Sequence, residues 1–166
     1  MDGRAILAEL PRLRRYARAM VGDHAAADDL VQDTLERAWS QLAQWRVGSS
    51  LRPWLLSIMH NLRVDQIRRP GLSTIPMADD HLEVPTRATQ TDRLEVRDLE
   101  HALARLPEEQ RAVVLLVALE EMSYQEVAGT LGIPAGTVMS RLARGRERLR
   151  LILDGQHSVV KLRVVR

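Results

Sequence analysis

The chain is expected to fold as an all-α protein of two small helical modules joined by a flexible linker, the C-terminal one a helix-turn-helix. Three observations predict this. Apolar residues recur at three- and four-residue spacing through most of the 166 residues. Hydrophobic residues make up 45% of the chain but aromatics only 3%, with no phenylalanine, so the core must be built from Leu, Val, Ala and Ile, a composition that favours helices over a sheet. The segment Ser123–Arg150, SYQEVAGTLGIPAGTVMSRLARGRERLR, reads as two short helices around a tight turn.

Taken in order, Ile6, Leu7, Leu10, Leu13, Tyr16, Ala17 and Met20 form a helical stripe ending near Gly22. Pro11 lies inside it and either kinks the helix or marks its start. A second helix is expected from about Ala25 to Gln44, with Leu30, Leu35, Ala38, Trp39 and Leu42 on one face. Asp28 and Asp29 are placed in its first turn, where acids suit the helix dipole. Gly48, Ser49 and Ser50 break the chain. Pro53 opens a third helix to about Arg69, burying Trp54, Leu55, Ile58 and Leu62, and the three tryptophans read as core residues. From Pro70 to about Thr91 the prolines and scattered Ser and Thr break helical periodicity, the mark of an extended linker.

Four further helices are expected at about Asp92–Arg105, Pro107–Leu119, Ser123–Leu131 and Pro134–Leu153. In the helix-turn-helix, Val127, Ala128 and Leu131 form an apolar face, and Gly132 makes the turn because it has no Cβ. Val138 and Leu142 hold the second helix down, which leaves Ser140, Arg141, Arg144, Arg146 and Arg148 facing outward, as major-groove reading requires. Gly155–Arg166 reads as a basic tail or short strand. The domain boundaries are therefore 1–70, a linker at 71–91, 92–155, and a tail at 156–166.

Net charge is only +2, yet it is unevenly placed. Eight Lys or Arg face Glu147 and Asp154 between Gly132 and Arg166, and five Arg face Asp65 alone between Arg46 and Arg69. From Val21 to Ser40, Asp23, Asp28, Asp29, Asp33 and Glu36 face only Arg37. Two basic patches imply two polyanion contacts, and the acidic stretch implies a basic partner surface. Asp28, Asp29 and Asp33 also form D-D-x-x-x-D, a Mg²⁺-site pattern, but a module of about seventy residues is too small to enclose the cavity that such an enzyme needs. No metal, cofactor or catalytic residue is expected. Ser57, Asn61, Asp65 and Arg68 form a polar stripe on the third helix, and Asn and Asp can bond base edges while Arg pairs with phosphate. The absence of cysteine, of a membrane-length apolar run and of a signal-peptide layout points to a cytoplasmic protein with no stable membrane insertion. A stand-alone helix-turn-helix regulator would leave the acidic helix and the Asn61 stripe unused.

The stretches ADDLVQDTLERAW (Ala27–Trp39), LRPWLLSIMHNLRVDQIRR (Leu51–Arg69) and LPEEQRAVVLLVALEEMSYQEVAGTLGIPAGTVMSRLARGRERL (Leu106–Leu149) resemble the extracytoplasmic-function (ECF) sigma factors of bacterial RNA polymerase. The resemblance implies that Asp28, Asp29, Gln32, Asp33 and Glu36 dock on core polymerase. It assigns the melted minus-ten strand to Arg46, Gly48, Ser49, Ser57, Asn61, Asp65 and Arg68, with Asn61 matching the family asparagine at the pocket for a flipped base. The minus-thirty-five duplex falls to Thr137, Met139, Ser140, Arg141, Arg144 and Arg148. Many members carry Arg or Lys where Met139 stands, so promoter preference is expected to depart from the family there. The implied partners are core RNA polymerase, promoter DNA and an anti-sigma factor that masks these surfaces.

Overall fold

The computed structural model describes the backbone of residues 3–69 and 90–163 and the side chains of residues 3–69 and 91–155. Among these residues there are seven α-helices and no strand: α1 (Gly3–Val21), α2 (His24–Ser40), α3 (Leu51–Arg68), α4 (Gln90–Ala104), α5 (Glu108–Ala118), α6 (Tyr124–Leu131) and α7 (Ala135–Arg163). The linker expected at 71–91 lies almost wholly outside the described residues.

Local chemistry explains the helix boundaries. Pro11 sits within α1 and does not start it, removing one backbone bond from a helix held by the burial of Ile6, Leu13, Tyr16, Ala17 and Met20. Leu7, expected on that buried stripe, is 61% exposed. Asp23 caps α2 by accepting from the Ala26 N–H at 2.9 Å. The helix therefore begins at His24, and Asp28 and Asp29 lie beyond its first turn rather than in it. A 3₁₀ turn at Leu42–Gln44 ends the segment expected to stay helical to Gln44. Trp39, expected in the core, is 64% exposed, and Trp45 and Trp54 are only partly buried. Pro107 immediately precedes α5, whose Glu108 and Glu109 face the positive end of the dipole. The helix α7 continues through residues 158–163, so the strand reading of the tail does not hold there. Glu121 takes a left-handed backbone (φ 54) in the α5–α6 corner, a conformation that costs a residue with a Cβ about 1 kcal/mol.

Helices α1, α2 and α3 pack as one module, and α7 runs across α4, α5 and α6 to make the second. The modules then pack on each other, α3 against α6 and α1 against α4 and α5, so one apolar core runs from Leu13, Leu30 and Leu55 to Val113, Leu116 and Val138. Each such fully buried side chain contributes about 1.5–3 kcal/mol.

Arg111 of α5 is 8% exposed and sits at the junction of the modules. Its Nε donates to the Leu103 carbonyl at 2.7 Å, and its Nη2 donates to those of Ala104 and Leu106 at 3.0 and 2.7 Å. Its Nη1 donates across the junction to the Met20 carbonyl at 2.6 Å and to Glu108 at 3.3 Å. Burial pulls its pKa down, offset by the neighbouring Glu108 carboxylate. One cation thereby satisfies the carbonyls at the C-terminal ends of α1 and α4, where the helix dipoles favour positive charge.

Gly145 is buried within α7, and a Cβ built there would stand 2.8 Å from Val114 Cγ2 and 3.4 Å from Gln110 Cβ. The α5–α7 crossing is therefore too close for a side chain. Gly145→Val is expected to lower unfolding free energy by about 1–3 kcal/mol through overpacking, read as a reduced urea midpoint. His60 of α3, half-buried at the junction, has its pKa lowered by burial and by the Arg141 guanidinium of α7, with Glu108 of α5 opposing. Below its ordinary value near 6.5 the unfolded chain then binds more protons than the folded one, so acid withdraws stability. The melting temperature of the native chain should fall more steeply between about pH 7 and 5.5 than that of His60→Gln; equal slopes would contradict this.

Candidate nucleic-acid interface

The helix-turn-helix is assembled by local bonds. Ser123 Oγ accepts from the Glu126 N–H at 3.2 Å while the Ser123 N–H donates to Glu126 Oε2 at 2.8 Å, a reciprocal capping box that starts α6. Gly132 ends it with φ 67, and the Ile133 N–H returns to the Ala128 carbonyl at 3.1 Å. Val138 and Leu142 are buried beneath α7, at 0% and 3% exposure, which turns the opposite face outward. On that face Met139, Arg144, Arg146 and Arg148 are exposed. Thr137, Ser140 and Arg141 are half-buried, Ser140 Oγ donating to the Thr137 carbonyl at 3.1 Å and Arg141 lying 3.8 Å from Glu109. Six exposed or half-exposed polar residues and one exposed methionine thus share one end of a long helix, the shape and charge that a major groove accepts.

Asp28, Asp29, Gln32, Asp33 and Glu36 are all exposed along α2, because Ala27, Leu30, Val31 and Thr34 take its inward positions. Asp28 lies 3.7 Å from Arg18 and the Gln32 amide donates to Glu36 at 3.3 Å. This acidic face is available to a basic surface. Among the described residues no three His, Asp or Glu side chains gather closely enough to hold a metal ion.

On α3, Asn61, Asp65 and Arg68 are exposed, whereas Ser57 is half-buried and its hydroxyl donates to the Trp54 carbonyl at 2.6 Å. In the loop before α3, Arg46, Gly48 and Ser49 are exposed, held by a turn in which the Ser49 N–H donates to the Arg46 carbonyl at 3.1 Å and Gly48 adopts φ 95. Asn61, Asp65 and Arg68 line a cleft of about 580 Å³, together with Glu109, Leu131 and Arg141 of the second module, whereas Arg46, Gly48 and Ser49 are not part of its lining.

Sequence reasoning missed the junction formed by Arg63, Glu108 and Arg111, of which Arg63 and Glu108 line that cleft: Arg63 Nη2 donates to Glu108 Oε1 at 2.6 Å. An arginine interrupting the apolar run of α5 was the available signal. It also missed the Ser123/Glu126 pair, although S-x-x-E before an apolar stretch is a recognisable start.

Residues 6–60 match the family described as the Sigma2 domain of PhyR, and residues 97–149 match Sigma-70, region 4. The ECF RNA polymerase sigma factor EcfG of Rhodopseudomonas palustris is 34% identical over 149 residues, covering 89% of this chain and 82% of that protein. The ECF RNA polymerase sigma factor SigL of Mycobacterium tuberculosis is 36% identical over 151 residues, 86% of this chain and 82% of its own length. Among solved structures, the sigma factor RpoE of Bartonella quintana, in complex with the anti-sigma factor NepR, superposes with a TM-score of 0.76 at 31% identity, over 92% of this chain and 96% of that one. CnrH, in complex with the cytosolic domain of CnrY, superposes with a TM-score of 0.68 at 27% identity, over 92% and 87% of the two chains. With a region-2 module, a region-4 helix-turn-helix and relatives above 30% identity over most of their length, the chain belongs to the ECF sigma factors of RNA polymerase.

Proposed function

We propose that the chain directs promoter-specific initiation through three sets of residues. The acidic face of α2 (Asp28, Asp29, Gln32, Asp33, Glu36) binds core polymerase. Arg46, Gly48, Ser49, Ser57, Asn61, Asp65 and Arg68 hold the melted minus-ten strand. Thr137, Met139, Ser140, Arg141, Arg144 and Arg148 read the minus-thirty-five duplex. The domain boundaries that go with these roles are 1–70, 71–91 and 92–155, the remainder being a tail without an assigned role.

The carrying observation is that the α2, α3 and α7 members of these sets lie exposed or half-buried on helices anchored by apolar residues on their other side, with Arg46, Gly48 and Ser49 exposed in the loop before α3. Such anchoring leaves polar groups free to spend hydrogen bonds on a partner. The chain makes no phosphodiester bond: it lends core polymerase affinity for the promoter, and binding energy for unpaired bases favours the melted form. Among the described residues no helix is long and apolar enough to cross a membrane, and the cytoplasm, where polymerase and promoter lie, is its place of action. An anti-sigma protein is the expected antagonist, since RpoE of Bartonella quintana was captured with the anti-sigma factor NepR.

Two substitutions separate the surfaces. Asn61→Ala should reduce open complexes by about tenfold, the value of one lost base contact, while leaving affinity for core polymerase unchanged; an equal loss of core binding would contradict its place on the strand-reading face. Asp33→Ala should weaken core binding about two- to fivefold at low salt, and less at high salt. Affinity that is unchanged at both salt concentrations would remove α2 from the docking surface.

A further inference from the structure

Two large apolar side chains stand in water where α1 and α2 pack together. Trp39, near the end of α2, is 64% exposed, and Leu7 of α1 is 61% exposed. A Cβ built on Gly3 would stand 3.1 Å from Trp39 Cζ3 and 3.3 Å from Cη2. The edge of the indole therefore reaches the first turn of α1 at a residue that has no side chain. Leu7 lies one turn beyond Gly3, and a helical side chain leans toward the turn before its own Cα, which inclines Leu7 back toward that edge. Single apolar groups on a surface are ordinary. Two of this size at one corner, one of them seated against a glycine, are not scattered.

Their surroundings are acidic. Trp39 follows Glu36 by three positions, Gln32 by seven and Asp28 by eleven, spacings that keep all four on one side of α2. Those three neighbours are exposed as well. An apolar centre with a charged rim is the anatomy of a protein–protein interface, and tryptophan is among the residues that carry most of the energy there. The Gly3 backbone limits the positions open to the indole, so little freedom is left to lose on binding. Nucleic acid does not suit this corner, because the α2 carboxylates repel phosphate. The occupant that fits is a protein surface carrying cations around an apolar recess.

We propose that Trp39, with Leu7 beside it and Gly3 seating its ring, is the apolar anchor of the surface that docks on core polymerase. The proposal rests on the assignment of Asp28, Asp29, Gln32, Asp33 and Glu36 to that docking. It divides the surface into two kinds of contact. The carboxylates attract at a distance and are screened by salt, whereas burial of an indole is not screened. Gly3 is a positioning residue that acts only through the ring.

Binding of the full-length chain to core polymerase at low and at high salt tests this division. Trp39→Ala should weaken binding about ten- to thirtyfold at both salt concentrations, and Trp39→Phe only about threefold. Because the side chain is exposed, helix content and melting temperature should stay those of the native chain. Gly3→Ala should weaken binding about two- to fivefold in the native chain and have no effect when combined with Trp39→Ala, since the added methyl acts by displacing the ring. A loss that fades with salt as that of Asp33→Ala does overturns the anchor. So does a Trp39→Ala chain that keeps its core affinity but loses self-association in sedimentation, which would make a second copy the occupant. If only the anchor is wrong, Asp33→Ala weakens core binding and Trp39→Ala does not. If the docking assignment itself is wrong, Asp33→Ala leaves core affinity unchanged too.

Discussion

The structure depends on where the Arg111 charge goes. A guanidinium with five N–H donors is held almost entirely out of water, and its position is tolerable only because carbonyls and one carboxylate surround it. Those carbonyls would otherwise be orphaned helix ends. The α4–α5 corner, the end of α1 and the start of α5 are therefore one hydrogen-bonded unit, and removing its cation would leave several buried acceptors unpaired at once. A broken buried pair of this kind costs about 3–5 kcal/mol, a large part of the stability of a small domain.

Around that unit the helices divide the work between anchoring and presentation. In α2, Leu30 and Val31 are buried and the neighbouring acids face water. In α7, Val138 and Leu142 are buried and the arginines face outward. In α3, Leu55, Leu56, Ile58 and Met59 form the anchor, and the exposed members of the polar stripe, Asn61, Asp65 and Arg68, follow it. Surface placement of a charged group costs little by itself, so recognition chemistry can vary while the fold is kept.

What could be read from sequence was what is local. The turn at Gly132, the apolar spacing of Val138 and Leu142 and the acidic face of α2 are properties of neighbouring residues, and the structure places them as periodicity requires. Trp39 fell on the apolar side of that periodicity yet lies 64% exposed, only the edge of its indole approaching α1, 3.1 Å from where a Cβ on Gly3 would stand. Gly145 gave no periodic signal either, since its role is the distance of closest approach to Val114, thirty-one positions earlier. The packing of one module on the other rests on partners such as Arg63 and Glu108, forty-five residues apart across the linker segment, a relation that no window of sequence contains. Spacing rules describe one helix at a time, whereas these contacts belong to pairs.

The bonds of Arg111 are unevenly shared: three backbone carbonyls belong to its own module and one, that of Met20, to the other. Loss of its charge would therefore strip three acceptors from the α4–α5 corner and only one from the end of α1, so the damage would fall mainly on the second module.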